Sequence, residues 1–160
     1  MDRFVRRDVS RVDTEHPPRF IGGSCEALAA PVVISGYVQH GRKLGRALGA
    51  PTANIALADC PSPLAGSYAA EITGLDRVYQ GCAHLGVCPS VGGTVARLET
   101  HLFDFDADIY GALLTVRLLC RVSSEQELDS LAALERKIAR DVAACHNFFA
   151  LRNRNPARGV

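Results

Sequence analysis

Short hydrophobic runs separated by glycine and proline fill the middle of the chain. We predict strands at Val32–Gln39, Thr52–Leu57, Gly66–Thr73, Val78–Leu85, Val95–Phe105 and Gly111–Val122. In the clearest run, 95–105, alternate side chains should face opposite sides of a sheet, so that Glu99 and His101 point away from Leu98. Several short strands with turn residues between them are typical of an antiparallel barrel or sandwich.

A different period begins near the end of the chain. Between 130 and 149, apolar residues recur at steps of three or four, at Leu131, Leu134, Ile138, Val142, Cys145 and Phe149. This spacing predicts an amphipathic helix, and either Asp129 or Ser130 could cap its first turn. The chain is therefore predicted to be mainly β, with one C-terminal α-helix.

Length and composition favour a single domain. The chain has 160 residues, of which 48% are hydrophobic, and this is enough to build a core. Residues 1–19 are rich in charge, contain two prolines and show no periodicity. We predict a flexible N-terminal tail over residues 1–30, a barrel domain over 31–152 and a C-terminal tail over 153–160.

Charge and targeting patterns point to a cytoplasmic protein. A net charge of +1 provides no broad electrostatic surface for nucleic acid or for an anionic membrane. No run of about 18 apolar residues occurs, and the polar N-terminus lacks the apolar middle of a secretory signal. We therefore expect a monomer without nucleic-acid or membrane partners. Its six cysteines form no Cys-x-x-Cys pair and are expected to be free thiols.

A glycine-rich segment is the most unusual stretch of the sequence. Its three glycines, spaced four residues apart, are Gly41, Gly45 and Gly49. Such a loop lets the backbone approach a ligand closely, and its N–H groups, with Arg42, Lys43 and Arg46, could bind phosphate oxygens. The loop matches neither the Walker A nor the dinucleotide-binding pattern. A plain surface loop is the alternative that these residues alone leave open.

Two further polar groups are candidates for chemistry. Thr52 and Asn54 are two residues apart, so on an extended segment both face one side, where their oxygens could bind Mg²⁺. A turn held by side-chain-to-backbone hydrogen bonds is the alternative. Glu99 lies in the middle of an apolar strand, where it could act as a general base with His101 orienting it. A solvated glutamate on the outer face of the sheet explains the same pattern.

The order of these motifs resembles ATP-dependent riboflavin kinase. The matching stretches are the glycine loop with Pro51-Thr52-Ala53-Asn54, then Gly66-Ser67-Tyr68, Leu98-Glu99-Thr100-His101-Leu102-Phe103-Asp104 and Asp108-Ile109-Tyr110-Gly111. Near the end, Leu134, Ile138 and Asp141 match the family's Leu…Ile-x-x-Asp pattern. The resemblance covers residues 33–149, and the Pro-Thr-Ala-Asn, Glu-x-His and Asp-x-Tyr-Gly motifs in this order make it specific.

The resemblance implies a six-stranded antiparallel Greek-key β-barrel with a C-terminal helix. It implies transfer of the γ-phosphate of ATP to the 5′-hydroxyl of riboflavin, which yields FMN, with Glu99 as the base and Thr52 and Asn54 as magnesium ligands. The nucleotide-binding residues that it implies are Gly41, Gly45, Arg46, Gly49, Pro51 and Thr52. Many bacterial relatives carry an adenylyltransferase domain in front of the kinase, whereas here we expect a stand-alone kinase domain or one cut from a longer protein.

The chain departs from the family pattern on the side expected to bind the flavin. His84 stands where an asparagine is usual, Ser90 where a threonine is usual, and Ser67 where a valine is usual. Ser123 occupies the place of an arginine that is followed two residues later by glutamate, here Glu125. Because arginine is a long, planar donor, its loss changes how a ring system can be positioned. The flavin-side candidates are therefore His84, Ser123 and Glu125.

These departures leave two other functions open. One is the same phosphoryl transfer to a modified flavin or to another hydroxyl compound. The other is a catalytically silent flavin- or nucleotide-binding module with a regulatory role. The presence of Thr52, Asn54 and Glu99 favours the active riboflavin kinase.

Overall fold

Six strands and one helix make up the part of the chain that the structure, a computed structural model, describes, which is residues 25–41, 49–58, 64–90 and 93–154. The strands are β1 (Glu26–Tyr37), β2 (Ala53–Leu57), β3 (Gly66–Thr73), β4 (Tyr79–Ser90), β5 (Gly93–Leu102) and β6 (Leu113–Ser124). The helix, α1, covers Leu131–Arg154. Each predicted strand is present, and the mainly β fold with a C-terminal helix is confirmed.

The strands form one antiparallel sheet in the order β1-β6-β3-β4-β5-β2. Strands β3, β4 and β5 follow each other as hairpins, while β6 returns to lie beside β3. This arrangement is a Greek key. A bridge between Gln39 and Asn54 joins the two edges of the sheet at one end, so the barrel is nearly closed, as the resemblance implies.

Alternation along the strands sorts side chains into the barrel interior and its outer face. In β5, Leu98, Thr100 and Leu102 are buried, as predicted. The other strands contribute the same pattern to the interior, including Tyr68, Ala70 and Ile72 from β3 and Leu114, Val116 and Leu118 from β6. Burying each large aliphatic side chain is worth about 1.5–3 kcal/mol, so this core is the main source of the barrel's stability.

Helix α1 packs on the outer face of β3, β4 and β6. Its first turn is capped as predicted, because Ser130 Oγ accepts a hydrogen bond from the Ala133 N–H at 3.1 Å. The buried row of the helix differs from the predicted stripe and consists of Lys137, Asp141, Cys145 and Phe149. Leu131, predicted to be part of that stripe, is 59% exposed. Two charged residues thus occupy the middle of the helix–sheet contact.

A second hydrophobic cluster fills the rest of the space under the helix. Its buried residues are Cys25, Ala69, Cys82, Phe103, Cys120, Cys145 and Phe149. Cys25 and Cys120 form a disulfide, so the expectation of free thiols is wrong for this pair. Cys82 and Cys145 are free and buried. A hydrogen bond with Cys82, together with burial, raises the pKa of the Cys145 thiol, which therefore stays protonated and packs as a small apolar side chain.

The predicted domain limits need adjustment at both ends. Strand β1 begins at Glu26, so residues 26–30 belong to the sheet rather than to the N-terminal tail. Residues 1–24 lie outside the described residues, and the prediction of a flexible tail there is untested. At the other end, α1 continues to Arg154, two residues beyond the predicted limit. Among the described residues, no helix has the length and apolar character needed to cross a membrane.

Candidate active site

Polar side chains from five neighbouring strands lie in a single row across the outer face of the barrel. Asn54 of β2 is paired with Glu99 of β5, and Glu99 is paired with His84 of β4. The row continues to Ser67 of β3 and ends at Ser123 of β6. Paired residues on one face of a sheet have Cβ atoms about 5 Å apart. This polar row therefore places Glu99 between Asn54 on one side and His84 on the other.

Beside the polar row, a pocket of about 160 Å³ lies between the sheet and α1. Thr52, Ser67 and Glu99 contribute to its sheet wall, and Lys137 and Asp141 contribute from the helix. Glu99 is on the outer face of the barrel, yet it is half-buried because it lines this pocket. A carboxylate in such a place can take a proton from a bound hydroxyl group.

Asn54 and Thr52 form one end of the site. The Asn54 amide is 5% exposed; its Nδ2 donates to the Thr52 carbonyl oxygen at 3.2 Å and lies 3.5 Å from Thr52 Oγ1. Among the described residues, the buried Asn54 Oδ1 has no hydrogen-bond partner. A buried amide oxygen without a partner is costly, and a cation would satisfy it.

The chemistry of this end fits a magnesium ion that is shared with a nucleotide. Amide and hydroxyl oxygens are hard ligands of the kind that Mg²⁺ takes, with phosphate oxygens and water completing its octahedral shell. No cluster of three or more His, Cys, Asp or Glu side chains that could hold a metal occurs in the described ranges. An ion bound by Thr52 and Asn54 would thus depend on phosphate for much of its coordination.

Gly41 lies directly against the Asn54 amide. A Cβ atom at position 41 would be 2.4 Å from Asn54 Nδ2 and 2.5 Å from its Oδ1, so only glycine lets the backbone pass this closely. At the other end of the loop, Gly49 has a φ of +77°, which glycine adopts without strain. Gly45 and Arg46 lie outside the described residues, and their predicted contacts with phosphate stay a prediction.

The structure gives His101 a partner other than the predicted one. Its Nδ1 lies 2.9 Å from the carbonyl oxygen of Pro51 and donates to it. The bond ties the segment that carries Thr52 to β5. His101 therefore supports the end of the site that Thr52 and Asn54 form, and Glu99 takes its position from the pairing of β5 with β2 and β4.

Lys137 organises the opposite end of the site from the helix. The residue is only 6% exposed, and its ammonium group donates to Ser67 Oγ at 3.2 Å, Ser123 Oγ at 3.0 Å and Asp141 Oδ2 at 2.6 Å. Ser123 Oγ also donates to Asp141 Oδ2 at 2.8 Å. An ammonium group has three N–H bonds, so each of them has a partner here. A buried ion pair is tolerated only when it is hydrogen-bonded in this way.

His84 links this cluster to Glu125 at the exposed side of the pocket. His84 Nδ1 lies 3.2 Å from Ser67 Oγ, and its Nε2 lies 3.3 Å from Glu125 Oε2. The hydrogen bond from His84 lowers the pKa of Glu125 below its ordinary value of 4.5. Because the folded-state pKa is lowered, this contact stabilises the fold above the ordinary pKa and is lost as pH falls through the folded value. Glu125 is ionised at neutral pH.

The three flavin-side candidates, His84, Ser123 and Glu125, thus meet in one hydrogen-bonded network. Sequence reasoning missed Lys137, which connects them. A signal was present, since Lys137 precedes Asp141 by four residues, and opposite charges at this spacing pair on a helix. The lysine also occurs within the spacing of the apolar stripe, where an unpaired charge would not be expected.

The fold and the site define a Greek-key β-barrel with a pocket beside a polar row, and oxygen groups that could hold a cation lie at one end of that row. The family model for riboflavin kinase, Flavokinase, matches residues 28–149. A bifunctional riboflavin kinase/FMN adenylyltransferase of Escherichia coli is 42% identical over 125 residues, which are 78% of this chain and 40% of that protein. The RNA-binding riboflavin kinase RibR of Bacillus subtilis is 36% identical over 120 residues, which are 74% of this chain and 52% of that protein.

A solved structure agrees with these sequence comparisons. The riboflavin kinase of Trypanosoma brucei superposes with a TM-score of 0.51 at 25% identity, over 75% of this chain and 80% of that one. The chain belongs to the riboflavin kinase, or flavokinase, family, as the motifs predict. It spans about 40% of the length of the bifunctional relative from Escherichia coli.

Proposed function

We propose that this domain is a riboflavin kinase that transfers the γ-phosphate of ATP to the 5′-hydroxyl of riboflavin, with Mg²⁺ as cofactor. The observation that carries the proposal is the position of Glu99 in the polar row. Glu99 lines the pocket and is paired with Asn54, at the end that fits magnesium and phosphate, and with His84, at the end that Lys137 organises. We further propose that it acts as a cytoplasmic monomer on ATP and riboflavin, without nucleic-acid or membrane partners.

In the proposed reaction Glu99 accepts the proton of the riboflavin 5′-hydroxyl. The hydroxyl oxygen forms a bond to the γ-phosphorus, the bond from that phosphorus to the β,γ-bridging oxygen breaks, and FMN and ADP result. Phosphoryl transfer of this type requires positioning and charge neutralisation more than covalent work by the protein. Thr52 and Asn54 would hold the magnesium ion that neutralises phosphate charge, and the backbone of the glycine loop would cover the phosphates.

A panel of acceptors tests this assignment. With ATP and Mg²⁺, riboflavin should be converted to FMN, and lumiflavin, which has the same ring system without the ribityl chain, should yield no product. Chromatography of the flavins over time measures both. Turnover of a modified flavin or of another alcohol in place of riboflavin would move the assignment to a kinase with a different acceptor. Binding of riboflavin without turnover of any acceptor would indicate a silent module.

Gly41→Ala provides a local test of the magnesium end. The added Cβ must displace the Asn54 amide, and displacement of a group that orients a metal ligand typically costs about 10–100-fold in metal affinity. We therefore expect the Mg²⁺ concentration for half-maximal activity to rise by about tenfold or more, with the KM for riboflavin unchanged. An unaltered magnesium titration in a folded variant would separate Gly41 and Asn54 from the metal.

A further inference from the structure

Three departures from the family pattern belong to one hydrogen-bonded network. Ser67, His84 and Ser123 come from three different strands, yet all belong to the network centred on Lys137. If these three residues had departed from the family pattern independently, their side chains would not be expected to share hydrogen-bond partners. Instead, every polar atom that faces Lys137 in this group has a partner, and the charge is balanced by Asp141.

We propose that Lys137 is a positioning residue that supplies the cation of the flavin end from the helix, in place of the strand residue at position 123. This inference rests on the proposed function. The Lys137 ammonium lies 3.0 Å from Ser123 Oγ and 2.6 Å from Asp141 Oδ2. The ammonium group therefore lies directly beside the side chain at position 123, and Asp141 balances its charge.

Lys137 also sets the direction of the hydrogen bonds that lead to the pocket. An ammonium group can only donate, so Ser67 Oγ accepts from it and keeps its own proton, which it can donate to His84 Nδ1. A neutral imidazole that accepts at Nδ1 carries its proton at Nε2, and that N–H points at Glu125 Oε2. The chain from Lys137 through Ser67 and His84 thereby sets the tautomer of His84, whose Nε2 hydrogen the Glu125 carboxylate accepts at the wall of the pocket.

The wild-type protein allows the first test without any substrate. Nitrogen-15 NMR of the His84 ring at pH 8 should show a protonated Nε2 and an unprotonated Nδ1. The opposite tautomer, or a ring protonated at both nitrogens, would overturn the proposal because Ser67 could not then donate to Nδ1. This outcome is independent of whether riboflavin is turned over, so it separates failure of the network from failure of the proposed function.

Lys137→Met tests the effect of the network on the flavin. The substitution keeps the length of the side chain and removes its donors, so we expect the Kd for riboflavin, measured by quenching of flavin fluorescence, to rise by about tenfold. The KM for ATP should stay within about twofold, since the nucleotide end of the row does not depend on Lys137. Arg136→Met is the matched control, because Arg136 is the neighbouring cation and is exposed. Equal riboflavin affinity in wild type, Lys137→Met and Arg136→Met would overturn the proposal.

The double variant Ser123→Arg with Lys137→Met returns the cation to the strand. An arginine at 123 can reach Asp141 and fill the space left by the lysine ammonium group, so riboflavin affinity should recover to within about threefold of wild type. A role of the Lys137 side chain in helix packing alone would not be rescued by a charge on a different element. If Lys137→Met alone does not fold, the double variant tests the proposal by itself. A folded double variant that binds riboflavin about tenfold more weakly than wild type contradicts the proposal.

Discussion

Replacement of Glu99 by glutamine should lower kcat by about 10²–10⁴-fold, the range expected for loss of a positioned general base. The substitution keeps the size of the side chain and removes its ability to accept a proton. Glu99 lies on the outer face of the barrel, and the interior contacts of Leu98 and Thr100 are on the opposite side of β5. The fold and the binding of ATP should therefore be unaffected, as thermal unfolding and nucleotide titration can show.

Glu127→Gln is the matched control for this experiment. Glu127 is exposed, in the segment between β6 and α1, and its replacement removes the same charge without touching the polar row. We expect the control to keep wild-type kcat. A Glu99→Gln variant with wild-type kcat would remove Glu99 from the mechanism and leave proton transfer to water or to the phosphate itself.

Asn54→Leu should have the second largest effect, a rise of about tenfold or more in the Mg²⁺ concentration required for half-maximal activity. Leucine has the same branched heavy-atom skeleton as asparagine and is apolar, as a buried site requires, but it removes Oδ1, the buried oxygen without a partner among the described residues. A titration of activity against free Mg²⁺ at saturating riboflavin measures the effect.

Gln39→Leu provides the control for the Asn54 variant. Gln39 is the bridge partner of Asn54 across the two edges of the barrel, and it is exposed. Its replacement therefore removes a side-chain amide next to Asn54 and leaves Asn54 itself in place. The magnesium requirement should not change in this control. If Asn54→Leu gives the same titration as wild type while remaining folded, Asn54 does not bind the metal, and its unpaired oxygen requires another explanation.

Much of the fold follows from local patterns that a sequence displays directly. Alternation in β5 separates Leu98 from Glu99 because a strand side chain has only two faces available. Near the end of the chain, apolar residues recur every three or four positions, and this identifies α1 because residues at that spacing share one face of a helix. The start of β1 shifted by several residues because its pairing with β6 begins at Glu26, before an irregularity in the register between Ala27 and Val32.

The polar row could not be predicted, because it depends on the register between strands that are distant in sequence. Asn54, Glu99 and His84 become neighbours only once β2 pairs with β5 and β5 with β4. Local alternation also could not show that the outer face of this sheet carries the site. That face is enclosed only after α1 packs on it, which turns an outward Glu99 into a pocket residue.

Lys137 illustrates the opposite limit of sequence reasoning. The amphipathic pattern assigns charged residues to the solvent face of a helix, yet Lys137 and Asp141 are among its most buried residues. Their burial is tolerable because Ser67 and Ser123, on two other strands, accept the remaining lysine hydrogens. The compensation lies on other elements, so no window of sequence around position 137 contains it.

The most direct test of the central claim is transfer of labelled phosphate from γ-³²P-ATP to riboflavin by the purified domain, with and without Mg²⁺. We expect labelled FMN to accumulate only when magnesium is present, with one ADP formed for each FMN. Formation of no labelled FMN by a folded protein that binds ATP and riboflavin would contradict the assignment of kinase activity to this domain.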